Sequence, residues 1–329
     1  MDIELTSALR GHKKEIWTRF LAQAGLEADA GVQSTVLIWD DGELIATGSR
    51  QDNILKCIAV SSMHQGEGLT ATLLTQLRQD AFSAGHRHLF LYTKPANKFM
   101  FSSLFFYPVA QTKDVLLMED KPDGIRSFLD SLPVIPAQGK VGAAVMNCNP
   151  FTKGHRYLIE TAAKECDRLY VFVLSEDKSH FKAADRLEMV RLGTQDLCNV
   201  TVLPTGPYLI SSATFPTYFL KDRELAPQIQ CALDMEIFLT HYVPKFGITH
   251  RFVGTEPLSP MTQMYNQALK ATLPARGICV TEIPRLCTEA APISASAVRS
   301  CIQTGDTDAL EALLPRTTLD YLTKEDLLC

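Results

Sequence analysis

The sequence predicts an α/β protein built from two domains. Domains typically contain roughly 100–200 residues, so a chain of 329 residues is expected to form two. The first part has apolar runs joined by a tight turn ahead of a helix, which predicts an α+β domain. The second part alternates strands with helices, which predicts a parallel sheet covered by helices. The linker Ser131–Lys140 carries two prolines and a glycine, and we therefore predict domains at residues 1–134 and 135–329.

The first domain is predicted from a hairpin signal followed by a helix. Ser34–Trp39 and Glu43–Ser49 are rich in β-forming residues, and an Asp-Gly pair at Gly42 separates them. An Asp-Gly pair in this position favours a two-residue hairpin turn. The further predicted elements are a strand at Ile54–Val60, a helix at Gly68–Ala84 and a strand at His88–Thr93.

The second domain is predicted from strict alternation of elements. Ligands bind to parallel sheets of this kind at the carboxyl ends of the strands, so the residues that follow a strand are the candidates for ligand binding. The predicted strands are Val141–Met146, Leu169–Leu174, Val200–Leu203, Arg251–Gly254 and Ile278–Ile283, and the first two helices are Gly154–Cys166 and Asp185–Leu197.

Composition excludes several classes of protein. Hydrophobic residues make up 46% and charged residues 21%, which are globular values and exclude a disordered chain, a collagen and a coiled-coil rod. The net charge of −5 and the absence of a basic run disfavour a nucleic-acid partner. The apolar runs are strand-sized and the N-terminus is charged, so neither a membrane span nor a secretory signal is predicted. Nine cysteines without a Cys-x-x-Cys pair indicate a cytoplasmic protein with reduced thiols and no metal site.

The first candidate site is Asn149-Pro-Phe-Thr-Lys-Gly-His155, where the first strand of the second domain turns into a helix. Thr152 can cap that helix with its hydroxyl, and Gly154 lets a ligand approach the backbone. His155 falls in the first turn, where free N–H groups and the helix dipole favour phosphate. The alternative is a capped helix with an incidental histidine.

The second candidate site is Ile293-Ser-Ala-Ser-Ala-Val-Arg299 near the end of the same domain. Ser294 and Ser296 are residue types that begin helices, and Arg299 then falls on the first turns. A guanidinium held there can bind phosphate oxygens through two parallel hydrogen bonds. The alternative is a capped helix with a surface arginine.

The two segments resemble the (T/H)-x-G-H and I-S-x-T-x-x-R signatures of the nucleotidyltransferase superfamily, which has a Rossmann-like (HUP) fold. Ser296 stands where that superfamily has threonine, and the two motifs occur in the same order at opposite ends of one α/β domain. The resemblance implies an ATP site with Mg²⁺. It implies that Lys153, His155 and Arg299 are catalytic and that Asn149, Thr152, Gly154, Ser294 and Ser296 bind ATP.

Other residues that follow strands give weaker signals. Lys178 could reach a phosphate, although a solvated charged loop is the alternative. Gly254 and Glu256 follow a later strand and could contact the adenosine. On the helix after Lys178, Arg186 and Glu188 are expected at the surface.

The third candidate site lies in the first domain and resembles the Q/R-x-x-G-x-G/A loop of GNAT acetyltransferases. In that family the backbone amides of the loop hold the pyrophosphate of coenzyme A. Thr70 replaces the usual glycine or alanine, and Phe101 stands where the general-acid tyrosine is usual. A phenyl ring cannot deliver a proton, so the resemblance implies binding without ordinary N-acetylation; a plain glycine turn is the alternative. The residues implied to bind a pantetheine or coenzyme-A-like arm are Gln65, Gly66, Gly68 and Thr70.

The combination of a GNAT-like domain with such an ATP-binding domain is similar to the citrate lyase ligase family of bacterial citrate fermentation. The resemblance implies that acetate and ATP form acetyl-adenylate and pyrophosphate. The acetyl group would then pass to the thiol of the dephospho-coenzyme-A-derived group on the acyl carrier subunit of citrate lyase, with release of AMP. Two alternatives stay open: a nucleotidyltransferase that adenylates a phosphate-bearing precursor such as phosphopantetheine, and an acetyltransferase or coenzyme-A-sensing module without ATP turnover.

Overall fold

The computed structural model describes residues 1–209, 215–220, 222–256, 259–287 and 292–328. The chain forms two compact units, of which the first contains Met1–Ser127 together with Phe215–Glu236. The second contains the other described residues, 128–209 and 237–328. Phe215–Glu236 lies beyond the predicted boundary after residue 134, so a single boundary does not account for its place in the first unit.

The first unit contains a mixed sheet of seven strands. All neighbouring strands are antiparallel except β4 and β5, which are parallel. The predicted hairpin turn forms, because Asp41 and Gly42 both take the positive φ that a type I′ turn requires. In the spatial order β1-β2-β3-β4-β5-β7-β6, the strands are β1 (Asp2–Thr6), β2 (Ser34–Asp40), β3 (Glu43–Gln51), β4 (Ile54–Val60), β5 (Phe90–Thr93), β6 (Tyr107–Gln111) and β7 (Leu116–Glu119).

The second unit contains a parallel sheet of five strands, as predicted. The first strand lies in the middle, the next two follow on one side, and the last two lie on the other side. The chain therefore reverses its direction across the sheet beside the central strand, which is where α/β sheets bind ligands. In the order β10-β9-β8-β11-β12, the strands are β8 (Val141–Met146), β9 (Arg168–Val173), β10 (Val200–Pro204), β11 (His250–Gly254) and β12 (Cys279–Ile283).

The helices bury the apolar faces that the sequence predicts. The predicted helix at Gly68–Ala84 buries four leucines against the first sheet, each worth roughly 1.5–3 kcal/mol. The helices are α1 (Gly11–Gln23), α2 (Leu69–Ser83), α3 (Lys98–Ser102), α4 (Gly124–Asp130), α5 (Lys153–Lys164), α6 (Ala183–Leu192), α7 (Ala226–Ile237), α8 (Val243–Phe246), α9 (Pro260–Thr272), α10 (Ala295–Thr304), α11 (Thr307–Leu313) and α12 (Arg316–Lys324). Within the described ranges, none of these helices has the length and hydropathy needed to cross a membrane.

Candidate functional site

The turn between β8 and α5 is held by a reciprocal pair of hydrogen bonds. Thr152 is the N-cap of α5, and its Oγ1 accepts the backbone N–H of His155 at 3.3 Å. In return, the backbone N–H of Thr152 donates to Nδ1 of His155 at 3.1 Å. The predicted cap at Thr152 is present, and the histidine side chain completes it.

His155 is a neutral donor in this arrangement. Burial lowers its pKa to about 4, and the charge of Arg285 lowers it further in the same direction. Because Nδ1 accepts a hydrogen bond, the single proton of the neutral ring lies on Nε2. The ring also stacks on buried Phe151, with centroids 6.0 Å apart and planes inclined by 16°. The side chain can therefore offer one N–H donor without carrying a charge at pH 7.

The second motif contacts the first directly. Nη1 of Arg299 donates to the carbonyl oxygen of Asn149 at 2.6 Å, and Nη2 donates to Oγ of Ser296 at 3.1 Å. Ser294 caps α10, because its Oγ accepts the N–H of Ala297 at 3.1 Å. These contacts hold the guanidinium at the carboxyl end of β8.

Gly154 lies where the two motifs meet. A β-carbon at this position would lie 3.4 Å from the carbonyl oxygen of Ile293, the residue that begins the second motif. The spacing is an ordinary van der Waals contact, so the glycine leaves a small gap between the two backbones.

A cavity of about 280 Å³ lies between the two motifs at the carboxyl ends of the strands. A second, polar cavity of about 310 Å³ shares Thr255, Glu256 and Asn266 with it. Seven of the residues predicted from the sequence line the first cavity. They are Asn149, Thr152, Gly154, His155, Gly254, Glu256 and Arg299.

Four other predicted residues do not line that cavity. Nζ of Lys153 donates to the carbonyl oxygen of Glu311 at 2.7 Å, near the end of α11. Lys178 is exposed on the loop after β9. The hydroxyls of Ser294 and Ser296 contact the N–H of Ala297 and the guanidinium of Arg299. The hydroxyls of the two serines therefore stabilise the second motif itself.

Arg285 is a cavity residue that the sequence analysis missed. Its Nη1 lies 2.7 Å from Oε1 of Glu256, and its backbone N–H donates to Oγ1 of Thr255 at 2.9 Å. It lines the same cavity as His155 and Arg299. A signal was available, because Arg285 lies two residues after the end of a predicted strand, at the ligand-binding edge of the sheet.

The expectation for Arg186 was wrong. It was expected at the surface, but its side chain is fully buried. The polar groups of the loops around it satisfy its donors, which is the condition for burying a charged group. Glu188, on the same helix, is partly exposed and lies 4.0 Å from Arg191.

The first unit contains a separate cleft of about 860 Å³ at the start of α2. Gly66 and Gly68 have φ values of 91° and 77°, in the left-handed region that favours glycine. Gly68 is the N-cap of α2 and supplies no side chain to the first N–H groups of the helix. The four predicted arm-binding residues all line this cleft: Gln65, Gly66, Gly68 and Thr70.

Aromatic side chains line part of the cleft, including the position at which a general-acid tyrosine is usual. Phe101 lines the cleft, is buried, and contacts Phe106 edge to face with centroids 6.4 Å apart. Tyr218 and Phe219, from the segment that joins the first unit, line it as well. The hydroxyl of Tyr218 donates to the carbonyl oxygen of Tyr92 at 2.7 Å.

Comparison with known proteins assigns both units. Residues 141–322 match the family "Citrate lyase ligase C-terminal domain", and residues 4–101 match the "Acetyltransferase (GNAT) family". The chain is 41% identical to the [Citrate [pro-3S]-lyase] ligase of Klebsiella pneumoniae over 316 residues, which cover 94% of this chain and 92% of that protein. It is 40% identical to the same ligase of Escherichia coli (strain K12) over 311 residues, which cover 92% of this chain and 88% of that protein.

A shorter similarity involves a different enzyme. Over 56 residues the chain is 43% identical to the phosphopantetheine adenylyltransferase of Clostridium botulinum, which covers 16% of this chain and 34% of that protein. The long similarities span both units, whereas this one spans a part of the chain. The predicted fold class, a GNAT-like unit followed by a nucleotidyltransferase-like unit, is confirmed. The chain belongs to the citrate lyase ligase family, and it is a ligase.

Proposed function

We propose that this ligase uses ATP and acetate to acetylate the thiol of the prosthetic group on the acyl carrier subunit of citrate lyase. The observation that carries the proposal is the direct contact between the two motifs. The 2.6 Å hydrogen bond from Arg299 to Asn149 brings that guanidinium to the same cavity as His155. The names of the long relatives support citrate lyase as the protein acted on.

In the first step, an oxygen of the acetate carboxylate attacks the α-phosphorus of ATP. The new O–P bond forms as the bond to pyrophosphate breaks, which gives acetyl-adenylate and pyrophosphate. Negative charge develops on the phosphoryl oxygens and on the leaving group, so donors aimed at them lower the barrier. Nε2–H of His155 and the guanidinium of Arg299 are two donors in the lining of the cavity that could act on these oxygens.

The remaining contacts to ATP follow the lining of the cavity. Asn149, Thr152 and Gly154 would border the triphosphate, and Gly254 and Glu256 would border the nucleoside. Ser294 and Ser296 would act by fixing α10 and Arg299. The ammonium of Lys153 would have to leave the carbonyl of Glu311 to reach a phosphate, and Lys178 would reach it from its loop.

Mg²⁺ is proposed to arrive with the nucleotide. Among the described residues, no group of three or more His, Cys, Asp or Glu side chains could hold a metal ion. Mg²⁺ is usually bound through substrate phosphates and water with only one or two carboxylates, so a dedicated protein site is not required. No step proposed here depends on a protein-bound metal.

In the second step, the thiol attacks the carbonyl carbon of acetyl-adenylate. A C–S bond forms, the C–O bond to AMP breaks, and the thiol proton is released. The cleft of the first unit would hold the coenzyme-A-like arm through the loop of Gln65, Gly66, Gly68 and Thr70. Because the phenyl ring of Phe101 has no proton to give, this cleft would bind the arm without performing ordinary N-acetylation.

Isotope exchange between pyrophosphate and ATP, measured with and without acetate at fixed Mg²⁺, tests the first step. Exchange that requires acetate is the expected result, because a reversible acetyl-adenylate returns label to ATP. If acetate has no effect on the exchange, even with the carrier protein present, the proposal is wrong. Citrate lyase activation by ATP and acetate then tests the second step.

A second candidate function is adenylation of a phosphate monoester. The short similarity to phosphopantetheine adenylyltransferase favours it, and that reaction would attack the same α-phosphorus. Exchange that requires 4′-phosphopantetheine in place of acetate would support it. A cytoplasmic location and the domain boundary after residue 134 stay predictions.

A further inference from the structure

Arg186 on α6 is completely buried in the second unit. Its guanidinium remains charged, and moving such a charge out of water costs several kcal/mol unless hydrogen bonds replace the lost hydration. The residue lies outside the lining of the cavity, so it cannot touch ATP or acetate directly. A buried guanidinium this close to the site therefore needs a structural reason.

The guanidinium connects two loops that follow neighbouring strands. Nη1 donates to the carbonyl oxygen of Asn147 at 2.8 Å and to its Oδ1 at 2.7 Å. Nε donates to the carbonyl oxygen of Phe181 at 3.1 Å, and Nη2 donates to that of Glu176. Asn147 follows β8, whereas Glu176 and Phe181 follow β9, so one side chain ties both strand ends together.

Further hydrogen bonds run between the same loops. The N–H of Phe181 donates to Oδ1 of Asn149 at 3.0 Å, and Nδ2 of Asn147 donates to Oγ of Ser179 at 3.2 Å. Asn147 and Asn149 both line the cavity, and Asn149 accepts the hydrogen bond from Arg299. The position of Arg299 is thus linked, through Asn149 and Asn147, to the buried guanidinium.

We propose that Arg186 is a positioning residue for the adenylation step. Its planar fork fixes the turn at 147–149 against the loop at 176–181, and this sets the places of Asn149 and Arg299 in the cavity. The expected effect on the rate of adenylation rests on the proposed function. Small displacements of groups that act on a reacting atom can cost on the order of 10²-fold in rate, which is the effect we expect.

The test compares Arg186→Lys with Arg156→Lys. A lysine ammonium keeps the charge but cannot span acceptors on two loops. Arg156, on α5, makes two 2.6 Å contacts with Asp196 and one with Gly193, and it does not line the cavity. Both substitutions remove a structural arginine from the same unit, so effects on stability alone should appear in both.

Two readouts separate positioning from stability. Acetate-dependent exchange, counted per ATP-binding site by calorimetric titration, should fall about 10²-fold in Arg186→Lys, with the Kd for ATP changed less than tenfold. Arg156→Lys should keep exchange per site within twofold of wild type. Amide hydrogen exchange should rise at both 147–149 and 176–181 in Arg186→Lys only.

Unchanged exchange per site in folded Arg186→Lys would overturn the inference, as would unchanged amide exchange at the two loops. If that variant does not fold, Asn147→Ala replaces it, since Asn147 is exposed and its side chain accepts one of the four bonds. Equal loop protection in Asn147→Ala and wild type would again overturn it. A wild-type protein without acetate-dependent exchange would contradict the proposed function instead, and the amide readout would still decide whether Arg186 holds the loops.

Discussion

The two strand-to-helix turns that carry the candidate sites are built in opposite ways. Before α2, Gly66 and Gly68 leave the helix start without a side-chain cap. Before α5, Thr152 and His155 cap each other. The first turn can offer its backbone N–H groups to a ligand, whereas the second has used part of its backbone for its own support.

The difference predicts which kind of atom binds ligand at each site. A turn without side-chain caps tolerates changes of neighbouring side chains and is sensitive to the loss of glycine. In a turn whose side chains cap its own backbone, fewer backbone N–H groups remain for a ligand. Such a turn is expected to bind ligand through side-chain donors, here Nε2 of His155 and the guanidinium of Arg299.

The largest effect is expected from His155→Ala and Arg299→Ala. Each removes one donor placed for charge that develops in the transition state, which typically costs about 10²–10³ in kcat. Acetate-dependent exchange in the purified, folded variants measures it. Arg316→Ala, an exposed arginine on α12 paired with Asp320, is the control and should match wild type. Near-normal exchange in either site variant would show that the second turn does not bind through its side chains.

The next effect is a dependence of stability on pH that arises at the second turn. The pKa of His155 is about 4 when folded and about 6.5 when unfolded, so between these values the unfolded chain binds the extra proton. Stability should therefore fall as the pH drops through this window, by roughly 1–2 kcal/mol between pH 7 and 5 from this group. Urea unfolding of wild type and His155→Gln at both pH values measures the difference. Substitution of exposed His12 by glutamine should leave the full loss in place.

A tenfold effect is expected at the first turn. Gly68 has a backbone conformation in the left-handed region, which an aspartate adopts only with strain. Gly68→Asp also adds a negative charge where we propose that a pyrophosphate binds. The KM for the carrier thiol should rise about tenfold or more, whereas acetate-dependent exchange should not change. Gly85→Asp places the same strain and charge just after α2 and provides the control. Equal KM values for the two variants would mean that the loop does not hold the arm.

The smallest effect is expected from Lys153→Ala. The ammonium is bound to the carbonyl of Glu311 on an exposed surface, and contacts of this kind usually contribute about 1 kcal/mol or less. Exchange should fall by less than about fivefold. A loss as large as that of Arg299→Ala would show that Lys153 leaves Glu311 and reaches the triphosphate.

Much of the fold could be predicted because local pattern and burial agree. The strands Ile54–Val60 and Val141–Met146 were predicted with the bounds that the structure gives, and the Asp-Gly pair fixed the hairpin at Gly42. Both strands are nearly continuous apolar runs of strand length, which is the pattern of a strand buried on both faces. Both motifs of the second unit were found because each begins a helix at the ligand-binding edge of the sheet.

The missed features depend on contacts between distant parts of the chain. A charged residue on a helix is normally predicted to be exposed. Arg186 can be buried because its guanidinium donates to Asn147, 39 residues away in the sequence, as well as to the carbonyl groups of Glu176 and Phe181 on the loop before α6. The direction of Lys153 toward Glu311 likewise depends on where α11 lies. Neither contact changes the local spacing of apolar residues, so the sequence pattern does not predict it.

The inclusion of Phe215–Glu236 in the first unit has a consequence for synthesis of the protein. The ring of Tyr92 in β5 contacts Phe215 edge to face, and the carbonyl oxygen of Tyr92 accepts a hydrogen bond from the hydroxyl of Tyr218. Part of this unit is therefore contributed by residues that are synthesised more than a hundred residues later. A ribosome that has just finished residue 134 has not yet produced the residues that complete the aromatic side of the cleft. The GNAT-like unit begins the chain, yet it can be completed only after most of the parallel sheet has been translated.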